Sequence, residues 1–183
     1  KSDRYWIKKL RLKKHPEGGF YSETYRSDRN IPGAALPKGY SGKRSFSTAI
    51  YFLLSRRDVS RFHRLKSDEL WHFYAGSPLT IHIISPSGKY SAVKLGASPD
   101  NDQTFQCVIR RGNWFGAIVR KSRGFSLVGC TVAPGFDFAD FEIADRNELL
   151  QLCPAKKTII RKLTKTGTKR SNPTSRIRGF GAS

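Results

Sequence analysis

The chain has 183 residues with a formal charge of +20, from 34 Lys and Arg against 14 Asp and Glu. That length supports one domain with a buried core of its own and excludes dependence on disulfide staples. The three cysteines, Cys107, Cys130 and Cys153, include no C-x-x-C pair, so they read as free thiols of a reducing, cytoplasmic compartment.

Taken in chain order, the first signal is Trp6, Ile7 and Leu10 at helical spacing among basic residues, predicting a short amphipathic helix over 3–13. His15-Pro16-Glu17-Gly18-Gly19 stops it, and Phe20–Arg26 then alternates as a half-buried strand. Residues 27–43 form a Gly- and Pro-rich loop, long enough for a lid or a subunit contact. Ser45–Leu54 is a strand, and its apolar run Ile50–Leu54 predicts burial on both faces, against a second sheet or a second subunit.

Strand-like runs follow at Val59–Leu65, Glu69–Tyr74, Leu79–Ile84, Tyr90–Leu95, Thr104–Ile109, Trp114–Val119 and Phe125–Val132, separated by turns such as Ser87-Gly88. Many short strands at this interval indicate an all-β sandwich or barrel rather than a βαβ fold. Asp145–Leu152 reads as a short C-terminal helix with Asp145 as its N-cap. Thr158–Leu163 reads as a further strand or an arm. Residues 1–164 make the domain, and 165–183 read as a basic, disordered tail. Nine of the basic residues and no acidic residue fall in 156–183, so the tail carries the alternative of nucleic-acid binding. No apolar run is long enough for a membrane helix, and no stretch reads as a signal peptide.

Chemistry concentrates in residues 62–76, where two histidines, two acids and four aromatics share a hairpin-like segment. Residues two apart on a strand share a face. His63 and Glu69 therefore look into one interior if the turn keeps simple register, and His72 joins them only if the strand is bulged. Histidine beside carboxylate suits either acid–base work or metal ligation.

The run His63-x-Leu65…Glu69…Gly76 resembles the first cupin motif, and Arg110-Arg111-Gly112-Asn113-Trp114-Phe115 resembles the second. Leu65 and Phe115 stand where that family has two of its metal ligands. The strings HPEGGFYSETYRS, STAIYFLLS, SDELWHFYAGSPLTIHII and PGFDFADFE together resemble the uncharacterised cupin-five branch, over most of residues 5–164. That resemblance implies a double-stranded β-helix, or jelly-roll barrel, similar to the dTDP-sugar epimerases, and a homodimer.

It also implies a small-molecule pocket centred on His63, Glu69 and His72, without a cofactor unless those three hold a divalent metal. In an epimerase-like reading, His63 is the base, Tyr74 or Tyr51 the acid, and the substrate a nucleotide sugar or phosphosugar. Glu23, Thr24, Arg26, Trp71, Asp137, Asp140 and Glu142 are then rim or stacking residues, and Arg26 and Arg64 pair with phosphate. A metal-dependent cupin enzyme and a non-enzymatic binding protein are the alternatives.

Overall fold

The computed structural model of the protein describes residues 1–119 and 124–165. The tail from 166 onward, with the nucleic-acid reading attached to it, lies outside the described residues.

Ser2 caps helix α1 (Asp3–Lys9) by accepting from the Tyr5 N–H, with Asp3 in the first turn and Lys8 and Lys9 in the last. The helix is shorter than the apolar spacing predicts. Arg11 takes a positive φ of 52°, and the chain turns into strand β1 (Lys13–Lys14). Strand β2 (Phe20–Arg26) follows. Within 27–43, strand β3 (Asn30–Ile31) forms a small ribbon with β4 (Arg44–Ser45). Next come β5 (Thr48–Ser55), β6 (Val59–Leu65), β7 (Asp68–Gly76), β8 (Leu79–Ile84) and β9 (Tyr90–Leu95). The remaining strands are β10 (Gln103–Thr104), β11 (Gln106–Ile109), β12 (Trp114–Val119), β13 (Phe125–Ala133) and β14 (Phe141–Ile143).

Two six-stranded sheets result, ordered β1-β2-β5-β13-β7-β11 and β10-β9-β8-β12-β6-β14. Their facing sides enclose Phe52, Leu54, Trp71, Ile81, Phe115 and Val128, all at most 1% exposed. This is the jelly-roll sandwich that the strand spacing and the cupin motifs predict. The single strand expected over Thr104–Ile109 is two: β10 pairs with β9 in one sheet, and β11 pairs with β7 in the other.

At Leu53 the outer side of the twice-buried strand β5 is covered by α1 and the turn that follows it. Leu53 packs there with Leu12, Leu127, Trp6, Ile7 and Leu10. The outer side of the second sheet is covered by α2 (Arg146–Leu152), capped by Asp145, and by α3 (Lys157–Lys162). The strand or arm expected at Thr158–Leu163 is therefore a helix. Its β-branched Thr158-Ile159-Ile160 run favours extended backbone locally, but Ile160 and Leu163 bury one helical face against Phe62, Trp114 and Leu149.

One irregularity positions the chemistry. Between β6 and β12 the register shifts: Phe115 pairs with His63, yet Ala117 pairs with Ser60. The extra residue in β6 is a bulge, so Ser60 and His63, three apart, both turn inward. Gly116 lies opposite, where a Cβ would come within 2.7 Å of the Ser60 carbonyl oxygen. The Phe62 N–H released from the ladder donates to the Leu163 carbonyl at 2.8 Å.

Candidate active site: a buried carboxyl pair inside the barrel

A cavity of about 270 Å³ opens between the sheets at one end, lined by residues of β2, β5, β6, β7 and β13 and of the turns 15–17 and 136–141. Its floor is Glu17, 5% exposed, which the motif reading left out. The His15–Gly19 turn is more than a helix stop. Gly18 and Gly19 adopt φ of +118° and +70°, and a Cβ on Gly18 would overlap the Val59 carbonyl oxygen. The turn can therefore lie flat against β6, where the Glu17 carbonyl accepts from the Arg61 N–H at 3.0 Å and the Glu17 side chain points inward.

There Glu17 Oε1 accepts from Ser60 Oγ at 2.7 Å, and Glu17 Oε2 lies 3.1 Å from His63 Nε2 and 3.5 Å from His15 Nδ1. Hydrogen-bond accounting sets the protons. His63 Nδ1 lies 2.7 Å from the Arg61 carbonyl, which only accepts, so Nδ1 carries hydrogen. His15 Nδ1 accepts from the Glu17 backbone N–H, so its hydrogen is on Nε2. His63 Nε2 then offers a lone pair, and one proton lies between it and Glu17. Burial holds that proton on the carboxyl. Desolvation lowers His63 to about 3 and His15 to about 4, and raises Glu17 well above its usual range, with the nearby Glu69 charge adding to the rise. The contact is a neutral acid–imidazole pair rather than an ion pair.

Glu69, 7% exposed, faces the same cavity from β7. Burial pushes it from 4.5 up to about 7, against a downward pull from the Trp71 indole and the Cys130 thiol. Both donors approach the carboxyl, yet Glu69 Oε2 and Trp71 Nε1 make no contact of hydrogen-bond geometry. A buried, unpartnered carboxyl oxygen is costly to fold. The walls are Tyr21, Phe52, Trp71, Phe136, Phe138 and Phe141.

Of the residues expected from sequence, His63, Glu69, Trp71, Glu23, Arg26 and Asp137 line the cavity. His72 does not. It alternates away from Glu69 and Trp71 onto the outer face, beside Gln106 Nε2 at 3.0 Å and Thr131 Oγ1 at 3.5 Å. The bulge in β7 comes after it, opposite Leu127 and Val128, too late to turn it inward. Tyr74 and Tyr51 are also outside, ring against ring at 5.9 Å, with Tyr74 over Gly129. Thr24 sits at the β2 bulge and donates to the Ala49 carbonyl. Arg64 is tied to Glu142 at 2.7 Å and lies over Trp114, away from the cavity. Asp140 is buried in a bidentate pair with Arg44, at 2.6 and 2.9 Å, which anchors the 41–43 backbone.

Two expectations change as a result. Among the described residues Arg26 is the one basic side chain lining the cavity, and Glu23 holds its guanidinium bidentately at 2.7 and 2.9 Å. No arginine clamp for a phosphate is assembled inside the barrel. Nor do the three residues named for a divalent metal, His63, Glu69 and His72, converge. With Leu65 and Phe115 at ligand places and His72 on the other face, no group of three His, Cys, Asp or Glu among the described residues is arranged to hold an ion.

The sequence of the whole domain agrees with this architecture. The family described as Cupin superfamily (DUF985) matches residues 4–144. The chain belongs to the cupin superfamily. A protein of Shewanella oneidensis, SO0799, is similar in structure at a TM-score of 0.81 and 40% identity, over 91% of this chain and 99% of that one. A hypothetical protein from Leishmania major is similar at 0.82 and 35%, over 91% and 100%. The uncharacterized protein YML079W of Saccharomyces cerevisiae is 29% identical over 143 residues, 73% of this cupin chain and 71% of its own length.

Proposed function

We propose that this cupin binds a small organic metabolite inside the barrel and moves a proton on it without a metal ion, as an isomerase or epimerase. The observation that carries the reading is Glu69: a buried carboxyl with an unpartnered oxygen on the cavity and a pKa of about 7. A general base works best when its pKa lies near the working pH. As carboxylate, Glu69 takes a proton from a C–H beside a carbonyl. The Glu69 carboxyl then returns the proton to that carbon, and Glu17, its own proton shared with His63 Nε2, keeps the cavity floor neutral beside the oxygen on which charge develops. The base expected at His63 is thereby reassigned: His63 Nε2 is occupied by Glu17, and His63 acts as a positioning residue. The aromatic walls exclude water and hold a ring. A nucleotide sugar would place its sugar ring in the cavity and its phosphates outside it.

The experiment is a thermal-shift screen of sugars, sugar phosphates, nucleotide sugars and amino-bearing metabolites, with and without EDTA. A ligand at a hundred times its dissociation constant stabilises by roughly 2.7 kcal/mol. A hit that survives EDTA and is lost in Glu69→Gln supports the reading. Hits that vanish with EDTA overturn it.

The same reading includes a homodimer. Below α1, the outer face of the first sheet presents Tyr25, Tyr51, Leu70, His72, Tyr74 and Val108, with Tyr25, Tyr74 and Val108 exposed. None of these is Lys, Arg, Asp or Glu, and two copies of a chain at +20 repel everywhere except across such a face. Sedimentation at micromolar concentration is expected to give the dimer mass, and Tyr74→Glu the monomer.

A further inference from the structure

The cavity inverts the charge of the molecule around it. Four of the chain's 14 carboxyl side chains line it, Glu17, Glu23, Glu69 and Asp137, whereas Arg26 alone represents the 34 basic residues among the described lining. Glu23 neutralises that arginine bidentately, Asp137 lies in the field of Arg26 and Arg44, and Arg61 acts on Glu17, so Glu69 is the lining acid on which no cation acts among the described residues. Glu17 has its bonds from Ser60 and its contact with His63, and Asp137 accepts from the Ala139 N–H. Glu69 Oε2 has no partner, and six aromatic rings stand around the space it faces. A ring face attracts a cation as a carboxylate does, and the attraction is strongest where water is excluded.

We infer that the part of the ligand that enters the barrel carries a positive charge, an amine protonated at neutral pH, seated on the Glu69 carboxylate against the aromatic wall. This rests on the reading of the cavity as a ligand site and names the substrate class for it. An anionic group is disfavoured there, because each carboxyl would have to stay protonated beside it.

Binding is then an exchange of cations. The amine keeps its protons, and Glu69 releases its own to solvent. The titratable groups around Glu69 are Glu17 and His15 of the 15–17 turn, His63 of β6, Cys130 of β13 and Cys107 of β11, with Arg61 acting on Glu17. Burial holds both histidines neutral, at about 4 and about 3, and holds Cys107 protonated, at about 12, with Cys130 also raised. Glu69, at about 7, changes state near neutrality.

The test compares three compounds of one shape: cyclohexylmethylamine, cyclohexylmethanol and cyclohexanecarboxylate. Each is titrated calorimetrically into the full chain at about pH 6 and about pH 8 in two buffers of different ionisation enthalpy. The amine is expected to bind tightest, roughly tenfold more tightly at the higher pH, and to release close to one proton at the lower. In Glu69→Gln that pH dependence disappears; should the variant fail to fold, the wild-type pH profile alone decides. The inference is overturned if the alcohol or the carboxylate binds as tightly as the amine, or if the amine's affinity is flat with pH. An alcohol that binds while the amine does not removes the charge assignment and leaves the ligand site standing. No binding by any of the three removes both.

Discussion

Replacing Glu69 by glutamine removes one titrating oxygen and little else, so its effect can be worked out from the structure. Burial raises the Glu69 pKa from 4.5 in the unfolded chain to about 7 in the folded one. Between those values the folded protein holds a proton that the unfolded chain releases. The stabilisation is therefore complete below pH 4.5 and is lost as the pH rises through about 7. The rise from 4.5 to about 7, at about 1.4 kcal/mol per pH unit, gives about 3–4 kcal/mol in full.

Glutamine cannot ionise, so Glu69→Gln escapes that loss. Its stability relative to wild type should move in its favour by about 3 kcal/mol between about pH 4.5 and about pH 8, or roughly 6–12 °C in melting temperature for a chain of this size. Urea unfolding of both proteins across this range measures it. The histidines titrate in both proteins and cancel in the difference, whereas Glu17 loses the Glu69 charge that adds to its rise, which moves the difference in the same direction. A difference that stays constant with pH to within about 0.5 kcal/mol would refute the buried, raised Glu69.

Other perturbations follow from the same geometry. His63 and His15 are depressed, so they contribute stability above about 6.5 that is lost as the pH falls toward about 3 and about 4 respectively. His63→Gln should flatten the acid side of the stability profile, as followed by melting temperature. Asp140→Ala leaves Arg44, 4% exposed, buried without its carboxylate, and should cost about 3–5 kcal/mol in urea unfolding. Gly18→Ala meets both a positive φ and the Val59 carbonyl, and should cost more than about 1 kcal/mol while displacing Glu17. In that variant the His63 ring nitrogen signals should shift, whereas an unchanged nitrogen spectrum would mean that the turn does not hold the carboxyl.

The barrel was legible because alternation and turn residues are local signals. Phe20–Arg26, Leu79–Ile84 and Trp114–Val119 carry their own periodicity, and the structure has strands with those bounds. Faces were legible only where the strand is regular. In β7, alternation from Glu69 puts Trp71 inside and His72 outside, so admitting His72 to the pocket required a bulge that the structure places after it. In β6 the bulge is real, and it joins Ser60 to His63 on one carboxyl, a pairing that period-two reading forbids.

Glu17 was hidden for a different reason. A Pro-Glu-Gly-Gly turn reads as a solvated stop, and its burial depends on contacts with β6, which follows it by more than 40 residues. The signal present was the pair of glycines, which permits a turn pressed against backbone as well as a helix stop. Helix α3 was hidden because tertiary burial of Ile160 and Leu163 outweighs the extended preference of Thr158-Ile159-Ile160.

The central claim is proton transfer by Glu69 without a metal, and deuterium wash-in tests it most directly. The protein, treated with EDTA, is incubated in heavy water with aldoses, ketoses and amino sugars, and the C–H signals beside their carbonyls are followed by NMR. The account predicts that at least one compound exchanges a carbon-bound proton with wild type and that Glu69→Gln abolishes the exchange. Exchange that persists in Glu69→Gln, or that appears only when a divalent metal is restored, would contradict it.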